Sequence, residues 1–276
     1  MSKITIQHFD DTEALVSFIE TTPRCKGANR ASETGLLHWG GPYLNDAAKL
    51  LRYGWPEGRK FMSDLLTLGR AATATINAPS HSLDVSGAYP FIPAAIAGDP
   101  MNMYDFNPED SKARPVVRLY VGIVHSAIVP VNVINNIGGA CLSLVDQMES
   151  AGYQMEIITY FTTKCGSTNN FMVHTVKVKS AGTPLDLDRC AFALCNPAMS
   201  RRFAFAVQER TLGQETSTQR GYGQIMSMPA DLIEPNSVVL PVEAGNKREC
   251  QTLAGACEWL KEHMINNGYS DIFAKE

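Results

Sequence analysis

What this chain does not contain narrows its chemistry first. Its seven cysteines (Cys25, Cys141, Cys165, Cys190, Cys195, Cys250, Cys257) form no Cys-x-x-Cys pair, and its six histidines show no i, i+4 spacing. Neither a zinc site nor a disulfide framework is expected from such a scatter, and reduced thiols are. No Walker A loop is present, and Gly221-Tyr222-Gly223 lacks the third glycine and the preceding strand of a dinucleotide fingerprint. Nor does a Gly-x-Ser-x-Gly elbow surround Ser126, so the His125-Ser126 pair lacks the machinery of an activated nucleophile. The apolar runs are too short to cross a bilayer, and Met1 to Asp11 carries no basic-then-apolar leader, so a cytoplasmic protein without membrane contact is expected. Internal repeats and low-complexity tracts are absent as well.

What remains is the composition of an ordinary globular protein: 276 residues, 45% hydrophobic and 19% charged. A chain of this length can bury a full core as a single domain over residues 1–276. Its net charge of -4 excludes a simple polycation, but the charge is unevenly placed. Thr22 to Arg70 holds 8 basic residues against 4 acidic, whereas Gly221 to the end holds 8 acidic against 4 basic. Asp84 to Asp110 carries five carboxylates with no Lys or Arg. Local fields of this kind, rather than the total, govern binding to a polyanion.

The chain is organised around Pro115 to Phe161. Val116 to Val124 has the composition of a buried strand, Ala140, Leu144, Val145 and Met148 have helical spacing, and Met155 to Phe161 resumes strand composition. Asn135 or Asn136 is the expected N-cap of that helix, and Gly152 its left-handed end. This is a βαβ unit with a parallel strand pair. Before it come a short strand at Ile4 and Ile6, a helix capped by Thr12, and a basic loop from Pro23 to Ser32. A helix from Asn45 to Tyr53 follows, ended by Gly54, and another opens at Pro56 and presents Phe61, Met62, Leu65, Leu66 and Leu68. A proline-rich excursion spans residues 78–115. After the unit come a half-exposed strand from Phe171 to Val178, a helix from Leu185 to Leu194, and a segment from Pro197 to Val207 that suits helix or strand. Residues 211–228 form a polar, mobile loop, a late strand covers Val238 to Val242, and a helix runs from about Lys247 to Asn266. The fold class expected is α/β or α+β, a mixed sheet around the βαβ unit with insertions.

Cations interleaved with aromatics are the constellation with most functional content. Arg52, Trp55, Arg59 and Lys60 fall in one helical hairpin, and Arg201, Arg202 and Arg210 lead into the loop that holds Arg220 and Tyr222. Arg24, Lys26 and Arg30 cluster without apolar spacing in the loop before them. Single-stranded nucleic acid is bound by this mixture: cations neutralise phosphates, and flat rings stack on unpaired bases at roughly 1–3 kcal/mol per base. Taken singly, Trp55 and Phe61 also suit a half-buried core position, and each arginine suits a solvated surface. Gly138 and Gly139, near the start of the central helix, could hold an anion or admit a close neighbour.

Two resemblances bear on this. VVRLYVGIVHSAIV followed by NNIGGACLSLVDQMESAGYQMEIITYF resembles the first strand, helix and second strand of von Willebrand factor A-type domains. Their Asp-x-Ser-x-Ser metal motif falls on Gly122, Val124 and Ser126, so the resemblance implies a core without its metal. Over about residues 33–210, AAKLLRYGWPEG, DVSGAYPFIPAAIAGDPMNM and AGTPLDLDRCAFALCNPAMSRRFAFAVQE resemble an uncharacterised family of bacteriophage and bacterial proteins. Within it the chain is similar to the single-stranded-DNA-binding RNA polymerase cofactors of lytic Pseudomonas phages. That resemblance implies a DNA-binding fold that is not an OB fold, in a non-enzymatic protein of the host-cell cytoplasm that needs no cofactor or metal. It would hold melted promoter DNA and recruit the phage RNA polymerase, with homo-oligomerisation open. The alternative it leaves is a metal-less von Willebrand A-like adaptor that binds protein partners.

Overall fold

A computed structural model of the chain describes residues 4–28, 30–34, 41–59, 62–63, 82–86, 89–90, 92–105, 116–126, 129–165, 170–211, 226–270 and 273. The fold is mixed α/β. At its centre β5 (Val116–Gly122), α4 (Val131–Ser150) and β6 (Gln154–Cys165) form the βαβ unit, with Val117 opposite Met155 and Leu119 opposite Ile157 in a parallel register. β8 (Ser237–Leu240) adds a further parallel strand beside β5. On the other side β7 (Asn170–Lys179) runs antiparallel to β6, and β1 (Ile4–Phe9) lies parallel to β7. The five-stranded order is β1-β7-β6-β5-β8, an open mixed sheet and not a closed barrel.

Strand alternation assigns the two faces. Val117, Leu119 and Val121 of β5 point into the main core with Met155, Ile157, Val238 and Leu240, while Arg118 and Tyr120 point to the opposite face. The core face carries the helices. α1 (Thr12–Thr21), α2 (Leu44–Tyr53), α5 (Leu187–Cys195) and α6 (Phe205–Thr211) pack around Phe9, Phe161 and Val176. α4 and α7 (Leu253–Asn266) pack on the strands at the other end of that face. α4 is buried around most of its circumference, as a helix between a sheet and other helices must be. Among the described residues, the opposite face is overlaid by Met228 and Leu232 and by a charged cluster in which Arg118 and Lys177 both pair with Glu156.

Several local expectations change. Asp11, not Thr12, caps α1, its carboxylate accepting from the Ala14 N–H at 2.7 Å; Thr12 is buried as the first helical residue. α4 begins four residues before Asn135, with Pro130 as its N-cap, because the fixed φ of proline suits a helix start without a side-chain acceptor. Gly152 does adopt φ 86° just beyond its C-terminus. Gly138 and Gly139 therefore lie within α4, away from its N-terminus. A Cβ on Gly138 would meet Cys195 Sγ at 2.2 Å, so this glycine admits α5 and holds no anion. β7 is buried on both faces and not half-exposed, since it lies between β1 and β6 with helices on one side and, at Val173, Met228 and Val242 on the other. The segment after Pro197 is helical: a π-helical turn, Met199–Ala204, runs directly into α6. The last helix is interrupted, a 3-10 turn at Glu249–Gln251 preceding α7, whose cap is Thr252 Oγ1 accepting from Gly255 N–H.

Part of the proline-rich excursion is regular. β2 (Ser82–Asp84), β3 (Tyr89–Pro90) and β4 (Met103–Asp105) form a small antiparallel sheet in the order β2-β4-β3, and α3 (Ile92–Ala97) lies between β3 and β4 in the chain. Phe61, Leu65, Leu66, Leu68 and most of the expected loop at 211–228 lie outside the described residues. No described helix is long and apolar enough to cross a membrane.

Candidate nucleic-acid interface

The arginines singled out from the sequence divide by what they touch. Arg202 is 1% exposed, and its guanidinium donates to the carbonyls of Pro42 (2.9 Å), Ser32 (3.2 Å) and Thr34 (2.7 Å). Burial lowers its pKa. Two turns further on, Glu209 is wholly buried and accepts from the Ser32 N–H at 2.9 Å, from Ser32 Oγ at 2.6 Å and from Arg24 Nε at 3.0 Å. Arg24 also pairs with Glu33. Arg210 donates to the carbonyls of Ile19 (2.8 Å), Thr22 (2.9 Å) and Ala206 (3.0 Å). Arg24, Arg202 and Arg210 thus fasten Thr22, Ser32, Thr34 and Pro42 onto α6 and the turn that leads into it. A guanidinium whose donors are fixed on buried carbonyls is not presented to a phosphate. Lys26 and Arg30, in the same loop, are exposed and make no ion pair among the described residues.

Arg201 donates from Nη2 to the His125 carbonyl at 2.8 Å, and its guanidinium lies 5.4 Å from the centre of the Phe205 ring. Burial brings its pKa down to about 10. Trp55 is half-buried between the two helical cores, edge-on to Phe192 at 6.0 Å, so packing is its main role. Lys60, Arg220 and Tyr222 lie outside the described residues.

A second group lines an open cleft of about 640 Å3 between the C-terminus of α2 and the N-terminus of α5. Arg52 forks between Glu13 and Glu20 of α1 at 2.6–2.8 Å, and these hydrogen bonds, Glu13 first, raise its pKa. Arg59, in the helical turn at residues 56–59, makes a bidentate pair with Asp188 at 2.5 and 2.6 Å while remaining largely exposed. Arg189 is held more loosely, 3.5 Å from the Arg52 carbonyl and 3.7 Å from Asp186. Gly54 closes α2 with φ 103°, and a Cβ there would strike the Asp188 carboxylate at 2.9 Å, so glycine sets the floor of the cleft. Beside it Tyr53 projects into solvent, 84% exposed.

A family model described as a domain of unknown function, DUF7192, matches residues 1–266. The chain belongs to that family. No curated protein and no solved structure matches it.

In this DUF7192 chain the structure brings Arg52 and Arg59 together, as the sequence suggested, but separates them from Arg202 and Arg210, which serve the core. Sequence reasoning passed over Arg189, because it lies 137 residues from Arg52 and reads as an ordinary helical cation. Tyr53 carried a usable signal, as an aromatic directly after Arg52. Among the described residues, no carboxylate or second base stands beside Ser126 in the pocket that it shares with His125. At the positions matching the metal motif, Gly122 is packed against Val242 and Tyr160, and Val124 is buried in the helical core. Among the described residues no group of three His, Cys, Asp or Glu side chains could hold a metal ion.

Proposed function

We propose that this protein binds single-stranded DNA without regard to sequence, along the cleft between α2 and α5, and catalyses no reaction. One observation carries the reading: an almost fully exposed tyrosine, Tyr53, stands over a cleft lined by Arg59, which stays exposed while paired with Asp188, and by Arg189, which is held only at long range. Arg189 is held loosely and Arg59 is open to solvent while paired, so a phosphate can reach both cations. A base stacked on Tyr53 adds what a duplex, with its bases paired, cannot supply. The resemblance supports the finer role: holding melted promoter DNA in the host cytoplasm and recruiting the phage RNA polymerase.

The test is a comparison of oligo-dT with duplex of equal length. The single strand is expected to bind more tightly, with a salt slope of about -0.7 per phosphate contacted. Tyr53→Ala should reduce affinity by roughly 5- to 150-fold, the equivalent of about 1–3 kcal/mol, without moving the thermal midpoint. No binding at low salt, or equal affinity for single strand and duplex, ends the proposal.

The adaptor alternative is favoured by a different region. Val85, Ile92, Ile96 and Met101 are 66%, 58%, 82% and 50% exposed, in a stretch that has no Lys or Arg between Arg70 and Lys112. Exposed apolar side chains in an acidic setting suit a basic, apolar protein surface. Ile96→Asp should then abolish binding to purified phage polymerase and leave oligo-dT binding intact; retained polymerase binding removes this reading.

A further inference from the structure

The α2–α5 cleft has Tyr53 at one end of α2, and the same mixture of flat ring and cation recurs at the other end of that helix. Tyr43, the residue before α2, is 49% exposed, and its side chain makes no capping hydrogen bond. Its ring centre lies 5.5 Å from the Arg202 guanidinium. That guanidinium is itself fixed, since it donates to the carbonyls of Pro42, Ser32 and Thr34. One buried cation therefore joins the backbone entering α2, the ring of Tyr43 and the turn of residues 30–34, where the Arg30 carbonyl accepts from the Thr34 N–H at 3.0 Å and from Thr34 Oγ1 at 2.9 Å.

Charge at this end favours a polyanion. Arg30 is exposed on that turn, and Lys26 is exposed in the turn before it. Between Thr22 and Thr34 the loop holds three cations, Arg24, Lys26 and Arg30, against one carboxylate, Glu33, which pairs with Arg24. The balance stays positive when the buried Glu209, also paired with Arg24, is included. Along α2 between the two rings, Lys49 pairs with Asp46 at 3.1 Å with both side chains exposed, so the middle of the helix adds little field of either sign.

The spacing suits one strand. α2 has ten residues, which at about 1.5 Å each place its ends about 15 Å apart. A stacked strand rises about 3.4 Å per nucleotide, so roughly four to five nucleotides cover that span, and fewer when the strand is stretched.

We propose that Tyr43 is a second stacking platform for single-stranded DNA, with the strand running from Tyr53 along the exposed side of α2 to Tyr43 and its phosphate meeting Arg30. This extension rests on the DNA-binding reading above. A flat ring beside exposed cations matches an unpaired base and its phosphate, whereas a duplex keeps its base faces stacked on one another. Arg202 acts on the ring and not on the DNA: a cation over one part of the ring holds it in place, so it is already ordered when a base arrives.

The experiment measures binding of the full chain to labelled oligo-dT from about 2 to about 12 nucleotides long at low salt. Wild type should gain affinity steeply once the strand spans both rings. Tyr43→Leu keeps apolar bulk beside Arg202 but has no flat ring. It should lose roughly 5- to 150-fold with the longest oligomer, lose little with the shortest, and keep its thermal midpoint. Tyr43→Phe, which retains the ring, should bind as wild type does. Arg30→Ala should lower the salt slope by about 0.7, the share of one phosphate contact, and an unchanged slope overturns the placement of Arg30 on the strand. If wild type binds oligo-dT and Tyr43→Leu matches it at every length, or weakens all lengths alike with a lowered midpoint, the second platform is overturned and the Tyr53 cleft stands. Failure of wild type to bind oligo-dT at all overturns both.

Discussion

Two groups of arginines, alike in sequence, do opposite work in this molecule. Around α6, Arg202 and Arg210 donate to backbone carbonyls, and Glu209 collects Ser32 and Arg24, so the ionic groups are fixed parts of the core. At the α2–α5 cleft, Arg52 pairs with the exposed Glu13 and Glu20, Arg59 stays exposed while it pairs with the less exposed Asp188, and Tyr53 beside them faces water. Partner type and burial separate them. A carbonyl cannot leave, whereas a solvated carboxylate can be exchanged for a phosphate.

The comparison breaks most decisively at Glu209. Glu209→Ala leaves Arg24 and the Ser32 N–H without their buried acceptor, and removing one member of a buried pair costs about 3–5 kcal/mol. Urea unfolding should reveal a loss of this size; a change within error would place the α6 clamp in the same class as the surface cleft. Arg202→Ala should lose a comparable amount, on the order of 3 kcal/mol, because three carbonyls lose their donor.

A smaller effect comes from the buried histidine. His174 lies fully buried against Phe161 at 4.3 Å with no partner for either ring nitrogen, and burial lowers its pKa to about 3. The unfolded chain, with a histidine pKa of about 6.5, binds that proton first. Stability is therefore full above about pH 6.5 and declines as pH falls toward the folded value, by up to about 1.4 kcal/mol per pH unit from this residue. His174→Phe should flatten the pH 4–6 limb of a stability curve, and an unchanged limb would assign the acid sensitivity to other groups.

Smaller still are changes in the cleft. Asp188→Asn removes the carboxylate that engages Arg59, so oligo-dT affinity should rise a few-fold. A fall in affinity would show that Asp188 positions Arg59 for the strand rather than competing for it. Arg59→Ala should lower affinity and the salt slope without a detectable change in stability, as circular dichroism melting would establish.

The βαβ unit, its parallel pair, the glycine end of α4 and the strand-helix alternation were legible in the sequence, because each rests on local spacing and on residues with a fixed conformational preference. The caps at Asp11 and Pro130 were misplaced for a related reason: neighbouring polar residues could all serve, and tertiary packing chose which turn became the first. Cation–aromatic clustering identified Arg52 and Arg59 but drew in Arg202 and Arg210 as well. Charge is visible in a sequence; the carbonyls of Ser32 and Thr34 that receive Arg202, 170 and 168 residues away, are not.

Composition, then, determined by itself an α/β chain with a buried parallel core and a locally basic segment, since hydrophobic period and turn chemistry act over a few residues. Tertiary structure alone decided which arginines are fixed and which face solvent. It also decided that Tyr53 and Arg189 share a cleft and that Arg202 joins Tyr43 to the turn of Arg30. Those outcomes depend on contacts between elements far apart in the chain, where burial and the choice of partner, not residue type, set what a charge can do.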